Sequence, residues 1–176
     1  RMYTPTQLAD GHTEEYGLGF GVNTYAGHRI IHHTGGINGF HTFIARFIDD
    51  RTMIVVLANN PEINVEKIAR KIAQYIFNLP TLMRVPAVLS HAMLDKAVGT
   101  YVTDDGLSAE VICDEKGLTL QSPFKCSLIP ISQSTYYISQ DDEFEVHFSD
   151  EQDGVFNVLT LHMPIPHTFK AIRKQR

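Results

Sequence analysis

Eight short runs of β-favouring residues fill the second half of the chain, and they constrain its fold more than any other feature. They are 99–103, 109–113, 118–121, 127–131, 135–139, 143–148, 155–162 and 168–173. The separators include Asp104-Asp105-Gly106, Asp114-Glu115-Lys116-Gly117, Gln140-Asp141-Asp142 and residues 150–154, all acidic and most bearing glycine. Turns recurring about every 8 to 12 residues predict a small antiparallel up-and-down barrel or sandwich. Tyr136, Tyr137, Phe144, Phe148 and Phe156 are its expected core or cover.

The first half has a different texture. Residues 1–15 are polar, and 16–22 (Tyr-Gly-Leu-Gly-Phe-Gly-Val) alternate glycine with bulky apolar side chains. Such alternation predicts a strand approached closely by another backbone or a ligand. A turn over 23–27 leads to a strand at 28–34, a glycine-rich turn, and strands at 41–48 and 52–59. Connections as short as Asp49-Asp50-Arg51 make this an antiparallel meander. The run Met53 to Ala58 is apolar on both faces and is expected to be covered on both.

Asn60-Pro61-Glu62 then predicts a helix start, with Val65, Ile68, Ala69, Ile72, Tyr75 and Ile76 as one apolar stripe laid on the sheet. Lys67, Arg70 and Lys71 fall off that stripe and are expected to be solvated. The predicted class is α+β: an antiparallel sheet with a covering C-terminal helix over 1–78, a linker at 79–92 holding Pro80 and Pro86, and a small antiparallel β-barrel over 93–176.

A net charge of -5 and no basic stripe give no reason to expect nucleic acid. No apolar run reaches the roughly 20 residues of a membrane span. Cys113 and Cys126 are too few for a disulfide framework, and a hairpin turning at 114–117 would face Cys113 toward residue 118. Because Arg1-Met2-Tyr3 reads as mid-domain sequence, the natural amino terminus is expected to lie upstream.

The chemistry-bearing stretch is 28–40, which contains His33-Thr34-Gly35-Gly36 and Gly39-Phe40. A strand ending in a Thr hydroxyl and accessible amides can hold a carbonyl or carboxylate. Together with 16–21 and 54–59, in that order, this segment resembles the last part of a serine beta-lactamase-related hydrolase. That family includes penicillin-binding-protein-like esterases, D-amino-acid peptidases and class C beta-lactamases. Residues 93–173 more loosely resemble the lipocalin-like domain often appended to them.

The resemblance implies that His33, Thr34 and Gly35 stand where a Lys-Thr-Gly strand lines the site, with the Gly36 amide donating to an oxyanion. Histidine in the lysine position anchors a carboxylate poorly at neutral pH, which favours ester, amide or peptide substrates over beta-lactams. The family's Ser-x-x-K and Tyr-x-Asn elements are not found before residue 28. The literal match at 122–125 (Ser122, Lys125) lies between two predicted strands and reads as a turn, whereas the chemistry needs a helix start.

His28, His32, His33 and His41 invite a metal reading. Strand geometry sets residues 32 and 33 on opposite faces and 28 and 32 about 13 Å apart, so no metal site is expected. His162 and His167 read as loop residues, and Asp141, Asp142, Glu143 and Glu145 as solvated charge without calcium-loop spacing. No cofactor is expected.

Two functions remain open. One is part of a serine hydrolase that supplies the His-Thr-Gly wall without the nucleophile; its partners would be the upstream part of that domain and a small-molecule or peptide substrate. The other is a non-catalytic binding or assembly module. Self-association is expected in either case, from the apolar surface of a sheet with one helix. A periplasmic or secreted location is implied by the resemblance alone.

Overall fold

The computed structural model describes residues 1–122, 125–165 and 168–174. They form two compact units, Arg1–Thr81 and Leu82–Arg176.

The first unit begins with a two-stranded ribbon, β1 (Thr6–Gln7) and β2 (Thr13–Glu14). It continues as a four-stranded antiparallel meander of β3 (Gly21–Tyr25), β4 (His28–Ile37), β5 (Phe40–Phe47) and β6 (Thr52–Ala58), in that order across the sheet. Ala26 and Gly27, both at positive φ, make the two-residue turn into β4, and Gly39 (φ +85°) serves the turn into β5.

Two expectations shift here. The alternating glycines at 16–20 form a turn, not a strand, because Gly19 sits at φ +85° and the Gly17 amide closes on the Phe20 carbonyl at 2.7 Å. Close approach is nonetheless why Gly17 and Gly21 are glycines. A Cβ at Gly17 would strike the Met2 carbonyl, and one at Gly21 the His32 ring. At the other end, β4 does not stop at Thr34 but runs through Gly35 and Gly36 to Ile37.

Helix α1 (Val65–Ile76) starts three residues after the predicted helical opening at Glu62. Asn64 caps it by accepting from the Lys67 amide at 2.8 Å, while Asn60 closes a separate turn onto Glu62. It packs on β5 and β6, with Val65, Ala69, Arg70, Ala73 and Gln74 as its buried positions. Of the predicted stripe only Val65 and Ala69 are buried. Ala69 and Ala73 let the helix come close, whereas Ile68, Ile72, Tyr75 and Ile76 are rotated outward and exposed. Arg70, expected in solvent, is 2% exposed and pairs with Glu66 at 2.6 Å. The helix thus occupies part of one face and does not cover the sheet.

Strand register sorts the sheet's side chains. Tyr25, Ile30, His32, Phe43, Ala45, Phe47 and Ile54 share the helix face. The opposite face carries Ile31, His33, Arg46, Met53, Val55 and Leu57. β6 is an edge strand, and Met53, Val55 and Leu57 are 59%, 49% and 74% exposed, which overturns the expectation of cover on both faces. An apolar pattern reports what a strand can bury; its position in the sheet decides what it does bury.

In the second unit, residues 84 and 87 dock on the barrel. The Ala87 amide donates to the Pro130 carbonyl at 2.8 Å, and Arg84 pairs with Glu145. A short helix α2 (His91–Leu94) and a 3-10 turn (Asp95–Ala97) follow. Then come β7 (Gly99–Thr103), β8 (Ser108–Asp114), β9 (Gly117–Gln121), β10 (Lys125–Pro130), β11 (Thr135–Ile138), β12 (Asp141–Gln152), β13 (Val155–His162) and β14 (Thr168–Arg173). Each pairs antiparallel with its neighbour and β14 returns to β7, closing an eight-stranded barrel. Closure removes the free edges that an open sheet would present.

Tyr101, Val111, Leu118, Leu128, Tyr136, Val146 and Phe148 fill the interior, and the Phe148 ring meets Tyr136 edge-on at 5.4 Å. Of the predicted solvated acids, Asp141 and Glu143 are buried at 3% and 9% exposure, because β12 begins two residues earlier than its apolar run.

Candidate functional site

The two-residue connections pair Tyr25 with His28 and Ile37 with Phe40. Residues closing such hairpins are hydrogen-bonded pairs, and hydrogen-bonding direction then alternates along the strand. His33, Gly35 and Ile37 accordingly turn their backbone groups toward β5. His32, Thr34 and Gly36 turn theirs toward the β3 side. Pairing with β3 ends at Gly21–His32. Beyond that point the N–H and C=O groups of Thr34 and Gly36 line a strand edge with no strand beside it among the described residues.

Side chains divide the other way. Thr34 lies on the helix face; His33 lies on the opposite face, exposed between the rings of Tyr16 (6.3 Å) and Phe20 (6.2 Å). Gly35 is held by β5: the Thr42 hydroxyl donates to its carbonyl at 3.4 Å, and a Cβ there would run into that hydroxyl. His41, opposite Gly36, leaves room for a Cβ at van der Waals distance of 3.4 Å. His33, Thr34, Gly35 and Gly36 are all exposed.

His32 shares the helix face with Thr34 but is a packed residue. It lies over Gly21, tilts against Phe43, and its Nε2 sits 2.8 Å from Asn23 Oδ1. Burial, with a smaller push from His33, lowers its pKa to about 4, so the ring is neutral at physiological pH. Sequence reasoning missed the Asn23–His32 pair. Gly21 is the signal that would have found it, because its missing Cβ makes the room for the imidazole.

The remaining histidines are dispersed. His28 stacks on Phe77 at 4.1 Å and pairs with Asp50 at 2.9 Å. Among the described residues no group of three or more His, Cys, Asp or Glu side chains is placed to hold a metal ion. His162 lies 3.5 Å from the Thr168 hydroxyl and 4.9 Å from the His147 ring; His167 and Pro166 lie outside the described residues.

Ser122 follows the end of β9 and Lys125 opens β10, with Gln121 paired to Lys125 across the connection. Pro123 and Phe124 lie outside the described residues. A strand-to-strand turn cannot set Lys one helical turn after Ser, so this match is not a nucleophile–base pair. Cys113 faces Leu118 and Cys126 faces Leu120, and both thiols are free. Burial pushes the Cys126 thiol up to about 11 and raises Cys113 as well, so neither is a ready thiolate.

The arrangement offers an open strand edge of hydrogen-bond donors and acceptors flanked by an imidazole and a hydroxyl. It can bind a carbonyl-containing chain.

Residues 1–76 match the beta-lactamase family. Over 163 residues the chain is 29% identical to penicillin-binding protein 4* of Bacillus subtilis (strain 168), covering 86% of this chain and 36% of that protein. The chain thus spans about a third of the length of the curated relative it matches (36%). Among solved structures it is similar to the octameric penicillin-binding protein homologue from Pyrococcus abyssi, with 17% identity, a TM-score of 0.44, and coverage of 98% of this chain and 40% of that one. A structure of SurE with D-Leu gives 18% identity, a TM-score of 0.44, and coverage of 98% and 42%.

Proposed function

We propose that this chain, whose residues 1–76 match the beta-lactamase family, supplies one wall of a serine hydrolase site. The observation that carries this reading is the unpaired edge of β4 at Thr34 and Gly36, which follows from pairing that stops at Gly21–His32. In this reading the Gly36 amide donates to the oxyanion, and His33, Thr34 and Gly35 line the substrate. One oxyanion donor is worth roughly 3 to 4 kcal/mol of barrier. Histidine at 33 favours ester, amide or peptide substrates, since it lacks the permanent positive charge that lysine would offer a carboxylate.

The nucleophile and its base come from an upstream part of the hydrolase domain. The exposed Met53, Val55 and Leu57 face of the sheet is the surface such a part would cover, and it favours self-association when bare. The barrel is the lipocalin-like companion domain. Export to the periplasm or medium fits the same reading.

The test is intact-mass spectrometry of the chain after incubation with a fluorophosphonate and, separately, a penicillin. No adduct is expected on these residues. A stoichiometric adduct would place a working nucleophile here and overturn the assignment.

A second reading rests on the same open edge: a non-catalytic module that adds an extended peptide to β4 as a fifth strand. Peptide titration followed by amide NMR separates the two. Tight binding of the chain alone, with the Thr34 and Gly36 amides shifting first, favours the module.

A further inference from the structure

Strand β6 ends the four-stranded sheet, and among the described residues no strand pairs with its outer side. Hydrogen-bonding direction, carried across β5 from the Ile37–Phe40 turn, sets Thr52, Ile54, Val56 and Ala58 toward β5. Met53, Val55 and Leu57 therefore turn their N–H and C=O groups outward. Exposed edges are ordinarily blunted by lysine, proline or a bulge. Residues 52–58 hold no charge and no proline, and their register with β5 is unbroken.

Helix α1 leaves the same side of the unit open. Its Gln74 side chain donates to the Tyr25 hydroxyl of β3 at 3.1 Å, so that flank of the helix points across the sheet. At about 100° per residue, Ile68, Ile72 and Ile76 fall on the other flank, above the β6 edge. They are 40%, 40% and 47% exposed.

From this geometry we infer that a second copy of the chain docks here, β6 against β6 in antiparallel register about a twofold axis at Val55. The strand is its own complement. Val55 meets Val55, Met53 meets Leu57 as an apolar ladder on one face, and Ile54 meets Val56 on the other. The isoleucines of the two α1 helices face each other across the same axis, and an isologous contact of this kind closes at two copies. The exposed parts of Met53, Val55, Leu57 and the isoleucines are on the order of 600 Å² per copy. Two copies thus bring the roughly 1,200 Å² at which specific interfaces begin. This seam lies across the sheet from the β4 edge at Thr34 and Gly36, so it stands or falls apart from both readings given above.

The experiment is sedimentation of the full chain across micromolar concentrations, where a monomer–dimer equilibrium is expected. Val55→Pro removes an outward N–H, a change an edge strand tolerates, and is expected to weaken the dimer about tenfold or more. Ile72→Glu, on the exposed helix flank, is expected to weaken it as well. Far-ultraviolet circular dichroism checks that both variants are folded. Crosslinking gives a second reading that needs no loss of contact. Val55→Cys is expected to yield a disulfide-linked dimer on mild oxidation, because a hydrogen-bonded antiparallel pair sets its Cα atoms about 5.5 Å apart. Leu57→Cys is expected to stay at the wild-type background, since the two copies of position 57 lie about 13 Å apart in this register. A monomer at every concentration, an association indifferent to Val55→Pro or to Ile72→Glu, or crosslinking at 57 as ready as at 55 would overturn the inference.

Discussion

Arg173 is bound to Tyr101 twice, through the ring and through the hydroxyl. The guanidinium lies 5.2 Å from the ring centroid while Nη2 donates to the phenol oxygen at 3.1 Å. The same guanidinium donates to the carbonyls of Phe156 (2.6 Å), Val98 (2.6 Å) and Lys96 (2.9 Å). The Tyr101 hydroxyl donates onward to Ala97 at 2.9 Å. Three strands (β7, β13 and β14), the 3-10 turn and the residue before β7 are thereby tied at one point.

Removing that tie should be costly. Arg173→Ala removes the guanidinium from the Val98 and Lys96 carbonyls and leaves Phe156 only its bond from the Tyr101 hydroxyl, so a destabilisation of about 3 kcal/mol is expected, read as a lower urea midpoint. Tyr101→Phe keeps the ring and loses only the hydroxyl, so about 1 kcal/mol is expected. Gly99→Ala should act in the same direction as Arg173→Ala, because the new methyl would meet the guanidinium.

Acid should loosen the first unit through His32. Its folded pKa, about 4, lies below the ordinary imidazole value of 6.5. Above pH 6.5 the ring is neutral folded or unfolded, and stability is fully present. As pH falls from 6.5 toward 4, only the unfolded chain takes up the proton, so stability is lost across that window, by roughly 3 kcal/mol in all. His32→Phe is expected to flatten this part of the profile. An NMR titration in which the His32 ring protonates near pH 6.5 would contradict it.

Gly21→Ala tests the same contact from the other side. Its methyl would enter the imidazole's space, and an overpacking cost of about 1 to 3 kcal/mol is expected in thermal unfolding.

Arg84 should hold the segment that precedes the barrel. It pairs with Glu145, whose other oxygen lies 2.9 Å from His147, and it donates to the Asp142 carbonyl at 3.2 Å. Arg84 and His147 draw the Glu145 carboxyl below its ordinary pKa against the opposing effect of burial. Stability from this group is therefore present above the unfolded carboxylate pKa and is lost as pH falls through the lowered folded value. Arg84→Ala is expected to speed proteolysis around residues 82–90 severalfold while leaving the barrel's circular dichroism unchanged.

In a protein that joins this chain to a Ser-x-x-K segment, Gly36→Pro removes the amide aimed at the open edge. A fall of about 100- to 1,000-fold in kcat is expected for ester hydrolysis, with little change in KM.

The eight barrel strands and the β4–β5–β6 meander were legible because alternation and turn residues are local signals. Cys113 opposite Leu118 follows from counting across the Asp114–Gly117 turn alone. The His33 to Gly36 segment was legible as a strand with exposed amides, but its end was misplaced. Two glycines suggest a turn locally, whereas pairing with His41 and Thr42 carries β4 through them.

The sequence by itself determined where the chain extends, turns and coils, since those choices rest on a few neighbouring residues. Only the tertiary structure decided which apolar faces are covered. Ile72 and Met53 are as apolar as Ala73 and Ile54, yet the first two are exposed and the second two buried. Burial is set by what packs across from a side chain, and no local pattern records that partner. The site follows the same rule: Gly36 is an available donor because β3 ends at Gly21, opposite His32 and four residues short of Gly36 along β4.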